Sequence, residues 1–166
     1  LLIEPKIIES SNGISYKGIT DKTELNFSTY SNDSVAPVIT SQSPEDNATD
    51  VSTSDPTVEI IFSENVVRGS GNISLYNYST DALIRSFNMS NETDISISRN
   101  EMSISLRDTD GSVLINDGIQ YYIKISPGAV VDEAASPNSF AGIESKDAFN
   151  FTTKSVSCGS ISGVVR

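Results

Sequence analysis

Apolar and polar residues alternate with a period of two along most of this chain. Thr57–Ser63 places Val58, Ile60 and Phe62 on one side, the pattern of a half-buried strand. Asn72–Asn77 turns Ile73 and Leu75 inward, and Ala82–Phe87 is its hairpin partner across Tyr78-Ser79-Thr80-Asp81. Ile95 and Ile97 alternate with Ser96 and Ser98, and Met102, Ile104 and Leu106 with Ser103 and Ser105. Gln120–Ser126 sets Tyr121, Ile123 and Ile125 against Tyr122 and Lys124, and Asp147–Thr153 points Phe149 and Phe151 inward and Asn150 outward. Val38–Thr40 is a brief strand, sent to a sheet edge by Pro37 and Pro44, and Ser43–Pro56 reads as turn chemistry. No window holds helical periodicity; only Ala129–Ala135 has the composition for a helical turn. Short strands with turn signals between them predict an all-β, antiparallel β-sandwich of about seven or eight strands.

The closing strand occurs twice. Gly142-Ile143 through Asn150-Phe151-Thr152-Thr153 repeats Gly18-Ile19 through Asn26-Phe27-Ser28-Thr29 at an offset of 124 (Gly18 to Gly142). Upstream, residues 1–8 match 123–130 with Pro5 over Pro127, at an offset of 122, so a two-residue difference falls in the loop between. A module-sized offset means tandem copies of one domain. The expected organisation is therefore the last strands of a preceding module at 1–30, a linker at 31–36, a complete module at 37–154, and the start of a following β module at 155–166. The chain has no initiating Met, signal peptide or long apolar run, and so reads as a segment of a longer polypeptide.

Composition narrows the chemistry. A net charge of −11 argues against nucleic-acid binding, which needs clusters of Lys and Arg. The chain has no His, which removes His-based triads and imidazole zinc sites. The single Cys158 cannot form an internal disulfide and is expected to belong to the next module.

Several stretches together resemble a known family. Ala36-Pro37-Val38-Ile39 through Ser43-Pro44-Glu45-Asp46-Asn47-Ala48-Thr49-Asp50-Val51 is similar to the opening of the bacterial Ig-like domains of S-layer proteins. Ile60-Ile61-Phe62-Ser63-Glu64-Asn65-Val66 resembles that family's second strand, and Gly71-Asn72-Ile73-Ser74-Leu75 its third. Tyr121–Ile125 with Gly128–Asp132 resembles the sixth strand and its turn, and Phe149–Thr153 the last. Asp132–Asn138 departs from the Ala-Gly-Asn turn usual there. The resemblance implies an immunoglobulin-like sandwich, repeated in extracellular surface or secreted proteins, with no catalysis.

Asp108 and Asp110, with Asp117 nearby, are candidates for an acid and base or for metal ligands; Asp108-Thr109-Asp110-Gly111 resembles the start of a calcium loop, but the bidentate Glu that would end it is missing, so an acidic turn is expected. Ig-like topology offers another cluster. The point where the chain enters such a sandwich shares an end with the loops after the second strand and before the last. Asp33, Glu64, Asp132 and Glu133 would converge there, either as a solvated acidic rim or around a Ca²⁺ that stiffens the junction between modules.

Asn-x-[Ser/Thr] occurs at Asn26, Asn32, Asn47, Asn72, Asn77, Asn88, Asn91 and Asn150. The glycosylation candidates are Asn47, Asn88 and Asn91, together with Asn26 and Asn150 on the repeated strand. Tyr76 and Tyr122, with Tyr78, are candidate ligand contacts for a sugar, or else cross-strand packing. Tyr121 is a candidate corner tyrosine.

The expected function is that of a structural spacer in an extracellular tandem array: a filament, S-layer or adhesin stalk. Its partners are the neighbouring modules and other copies in a surface assembly, with no nucleic acid and no direct membrane insertion. No cofactor is required beyond the candidate Ca²⁺. The alternatives are a carbohydrate- or ligand-binding adhesin module, or an accessory domain of a secreted hydrolase.

Overall fold

Val58, Ile60 and Phe62 are all buried, and the strand that carries them organises one half of the molecule. The structure, a computed structural model, describes residues 3, 5, 8–21, 33–90 and 93–156. It divides into two compact units, Leu1–Asn32 and Asp33–Arg166. In the second unit the strands are β1 (Ile39–Ser43), β2 (Ala48–Val51), β3 (Thr57–Phe62), β4 (Val66–Arg68), β5 (Asn72–Asn77), β6 (Leu83–Asn88), β7 (Ile95–Ser98), β8 (Glu101–Ser105), β9 (Gln120–Ile125), β10 (Val130–Asp132) and β11 (Asn150–Thr153). A four-stranded sheet runs β1-β3-β8-β7, a five-stranded sheet runs β2-β11-β9-β5-β6, and β10 pairs with β4.

The two larger sheets enclose one core. Met102 and Ile104 of β8 lie opposite Ile60 and Val58 of β3 in register, and all four are buried. From the other sheet come Ile73, Leu75, Tyr121, Ile123, Ile125 and Phe151. Fully burying one such side chain stabilises the fold by roughly 1.5–3 kcal/mol, so the alternation itself drives the sheets together. The hydroxyl of Tyr121 accepts a bond from Asn116 N–H at 2.8 Å, five residues upstream, and so caps that loop from within the sandwich.

The chain crosses between sheets at the cis peptide Ser43–Pro44, leaving β1 in one sheet and β2 in the other. Strand β2 lies in the stretch expected to be only turns. It pairs parallel to β11, with Ala48 opposite Phe151 and Val51 opposite Thr153, in an otherwise antiparallel fold. The helical turn expected at Ala129–Ala135 is absent. Val130–Asp132 is extended instead, because its backbone pairs with Val66–Arg68. Asn150 is also corrected. It lies away from the apolar core, as alternation requires, yet is only 2% exposed, because the Asp46-Asn47 turn covers it.

The first unit holds a hairpin whose pairings recur in the second. Ile3 and Ile19 exchange backbone bonds of 3.0 and 2.9 Å, and so do Ile125 and Ile143, at 2.9 and 2.8 Å. Glu9 bridges Ser15 as Val131 bridges Ser139. Tyr16 N–H donates to Ile8 O at 2.8 Å, and Phe140 N–H to Val130 O at 2.9 Å. The turns close alike, Ser10 N–H to Ile14 O at 2.9 Å and Asp132 N–H to Asn138 O at 3.1 Å. The side chain that opens each turn caps the amide that ends it: Ile14 N–H to Ser10 Oγ at 3.1 Å, and Asn138 N–H to Asp132 Oδ1 at 2.9 Å. Gly18 and Gly142 have φ of 83° and 85°. The step from offset 122 to offset 124 falls within this turn. Asn26 and the sequence after Val156 lie outside the described residues.

Candidate functional site

Three of the four predicted carboxylates gather where the chain enters the second unit. Glu64 follows β3, and Asp132 ends β10 opposite Val66, so the β4–β10 pairing brings the two acids together. Asp33 is drawn in by Asn138, whose Nδ2 donates both to Asp33 O at 3.2 Å and to Asp132 Oδ2 at 2.7 Å. Oxygens of Asp33, Glu64 and Asp132 all lie within 4.8 Å of one another. Glu133 does not join them. It lies in the bend just past the end of β10 and accepts a bond from Asn65 Nδ2 at 3.4 Å instead.

The three acids differ in environment. Asp132 is buried and accepts from the amides of Ala134 and Asn138 and from the Asn138 side chain. The Asn138 side chain, followed by the two amides, holds its carboxyl below the usual range, against the opposing effect of burial. Glu64 is pushed up, first by burial and then by the charges of Asp33 and Asp132. Among the described residues no Lys or Arg forms an ion pair with any of the three. Such a cluster offers hard oxygen ligands to a divalent cation, with water and backbone oxygens completing the shell. Asn138 is the residue that sequence reasoning missed. Its signal was its place as the last residue of a Pro-Asn turn.

The remaining acids hold turns. Asp108 N–H donates to Ser112 O and Asp110 accepts from Ser112 N–H, while Asp117 accepts from Thr53 Oγ1, so they do not form one cluster. A cavity of about 270 Å³ with a mixed lining opens beside the β1–β2 crossover, against Pro44, Val51, Leu106 and Phe151 and the polar Ser52, Asp55 and Thr57. Asp55 is the one acid lining it, so it holds no acid–base pair. Among the described residues every buried polar side-chain atom has a hydrogen-bond partner.

The tyrosines pack on each other. Tyr76 and Tyr122 stack at 4.9 Å with rings 6° apart, and Tyr78 meets Tyr122 edge-on at 6.0 Å. Tyr122 is 4% exposed, so it presents no open face to a sugar and is corrected as a ligand contact. The cluster also fastens loops: Tyr78 OH donates to Asp147, Tyr122 OH donates to Asp81, and Lys146 sits over the Tyr78 ring and pairs with Asp81.

The sequons sort by burial. Asn150 is corrected as a glycosylation site, because its buried amide donates to Asp46 and Asn47 and accepts from Gln120. Asn47 is exposed but its amide is engaged by Asp46 and Asn150. Asn88, exposed at the end of the edge strand β6, is the candidate the fold leaves most open. Asn91 lies outside the described residues, as Asn26 does.

A family model described as a bacterial Ig-like domain matches residues 33–153. No curated protein matches the chain.

Proposed function

The chain belongs to the bacterial Ig-like domain family, and on that premise we propose that it is a non-catalytic spacer module of a large extracellular tandem-repeat protein, such as a surface filament, S-layer or adhesin stalk. Domains of this family usually occur in surface or extracellular proteins and are generally non-catalytic. Among the described residues no helix is long and apolar enough to cross a membrane.

The observation that carries the tandem reading is the recurrence of the 125–143 hairpin at 3–19, with the same two bridges, the same capped turn and the same positive-φ glycine. Unrelated segments would not share register, cap and a positive-φ glycine together. Residues 1–32 then supply the final strands of one module, and residues 33–153 form the next.

Placing a second copy of residues 33–122 directly ahead of Leu1 tests this, because Leu1 aligns with Ile123. The added strands should complete the first unit and slow hydrogen exchange at the Ile3, Tyr16 and Ile19 amides. Unchanged exchange there, with residues 33–153 folded normally, would rule the tandem reading out.

A cation at Asp33, Glu64 and Asp132 is a second element of the reading, favoured by three carboxylates held within ligand distance and, among the described residues, without an ion pair to Lys or Arg. Ca²⁺ should raise the melting temperature of the second unit relative to EGTA, and the shift should vanish in Asp33→Ala. Equal melting temperatures in Ca²⁺ and EGTA would refute it. The equivalent of Asp132 in the first unit is Ser10, so the cluster would not repeat there.

A further inference from the structure

We propose that the outer faces of the two large sheets are complementary, so that copies of this chain pack side by side, the five-stranded sheet of one against the four-stranded sheet of the next. The inference rests on the spacer reading for its biological purpose, while its test stands apart from that of the tandem organisation.

Charge is segregated between the two faces. The chain carries 22 Asp and Glu, yet β5, β6, β9 and β11 contain none. The remaining strand of that sheet, β2, holds Asp50 at the sheet's edge. Ile73, Leu75, Ile123 and Ile125 are buried, so alternation turns Ser74 and Lys124 outward. Ser86, Ser74 and Lys124 form one row across β6, β5 and β9. Leu83, Tyr76 and Tyr122 form the next, with Leu83 54% exposed. The other sheet reverses the sign. Its strands β1, β3, β7 and β8 contain no Lys or Arg, and their two acids, Glu59 and Glu101, are exposed. Glu59 shares a row with Ser103 and Ser96, while Ile61, 39% exposed, shares the next with Glu101 and Ser98. Each face is thus a serine-lined surface with one exposed aliphatic side chain, positive on one side of the domain and negative on the other.

These charges are left without a partner in the single chain. Among the described residues Lys124, Glu59 and Glu101 take part in no ion pair. Arg85, the other cation in the strands of the five-stranded sheet, turns instead to Asp94 and Asp108. Complementary potentials fix the orientation of a contact more than its affinity. Elsewhere the surface of a chain with net charge −11 repels a second copy, which selects this orientation. Serine permits the approach. Short side chains let two sheets close to about 10 Å, and they lose little conformational freedom when covered. Because the two faces differ, the contact is heterologous. A copy with one face occupied still offers the other, so association extends as a row and does not close at a dimer.

Sedimentation velocity of the full chain, under reducing conditions that keep Cys158 a thiol, tests this. The average sedimentation coefficient should climb with concentration from micromolar to millimolar and pass the dimer value. It should return to the monomer value in about 1 M salt, where the screening length is about 3 Å. Lys124→Glu should weaken association on the order of tenfold, because an attractive contact becomes repulsive. Glu59→Lys combined with Glu101→Lys should do the same. An equimolar mixture of these two variants should associate again, since each then meets the opposite sign on the other. If a reversal variant does not fold, Lys124→Gln reads the same loss at smaller amplitude. A monomer at every concentration, association that stops at a dimer, indifference to the reversals, or a mixture no better than its parts would each overturn the proposal. So would binding of polyglutamate through Lys124 by a chain that stays monomeric, which would assign the face to an acidic polymer. A monomeric result leaves the tandem reading standing, because that reading depends on exchange in the first unit.

Discussion

The hairpins at 3–19 and 125–143 share their bridges, turn closure and glycine conformation, and differ in what lies against them. Ile8 is 57% exposed where its counterpart Val130 is 0%, and Tyr16 is 38% exposed where Phe140 is 6%. Pairing register and turn are set within some twenty residues, by a capping side chain and a residue that tolerates positive φ. Burial is not. Phe140 is covered because Phe62 of β3 meets it edge-on at 5.5 Å, and Val130 because β4 pairs beside it. One backbone design, with and without the sandwich around it, separates what a hairpin specifies from what a domain supplies.

The largest expected effect comes from making the second hairpin resemble the first. Phe140→Ala removes the partner of Phe62 and should destabilise the second unit by about 3 kcal/mol, in the range for emptying a buried aromatic site. Tyr16→Ala should change the stability of the same unit by less than about 0.5 kcal/mol, as an exposed residue does. Urea denaturation of the two variants measures both. A similar loss in Tyr16→Ala would show that the second unit's stability depends on the first hairpin, and the contrast would fail.

The glycines rank next. A Cβ on Gly142 would sit 2.5 Å from the carbonyl oxygen of Ile125, at a φ of 85° that side chains resist. Gly142→Ala should cost about 2 kcal/mol, and amide exchange at Ile125 and Ile143 should report the loosened bridge first. Gly18→Ala meets the same φ in the other unit and should leave the second unit's melting temperature unchanged. A shift there would show that the units are energetically coupled.

Much of the fold was legible because alternation reports which side of a sheet a residue faces. Val58, Ile60 and Phe62, and Tyr121, Ile123 and Ile125, are buried as their spacing requires. Strands β2 and β4 were not legible, since three or four residues among Asp, Ser and Asn become extended only when β11 and β10 pair with them. Asn150 shows the same limit from the other direction. Alternation placed it outside the core, but only the Asp46-Asn47 turn, brought in by β2, decides that it is covered. In the acidic cluster, topology brought Asp33, Glu64 and Asp132 to one end, whereas Glu133, in the bend just past β10, bonds to Asn65 instead. Tyr76 and Tyr122 face outward as read, and their stacking required knowing that β5 and β9 are neighbours.

The smallest expected effect swaps the two turns where they differ in charge. Asp132→Ser puts the first hairpin's cap, Ser10, into the second. Serine can still accept the Asn138 amide, so the turn should persist, and at neutral pH the loss should be about 1 kcal/mol, that of weakened charge-assisted bonds. The pH dependence carries the sharper information. Asp132 has its carboxyl held down in the folded state, so its stabilisation is present above the ordinary carboxylate range and is lost as pH falls toward the folded value. The gap between Asp132→Ser and the unaltered chain should therefore narrow as pH is lowered. Glu64 has the opposite sign: its value is raised in the fold, so its ionised form opposes folding above that value and the penalty is relieved as pH falls through it. Removing Asp132 should bring the Glu64 midpoint part of the way back, because burial and Asp33, the two larger causes, remain. Carboxyl-detected NMR titration of Glu64 with urea melts across the acid range measures both quantities. An unmoved Glu64 midpoint, or a stability gap constant with pH, would show that the charge at position 132 acts on neither and that the aspartate is a turn cap equivalent to Ser10.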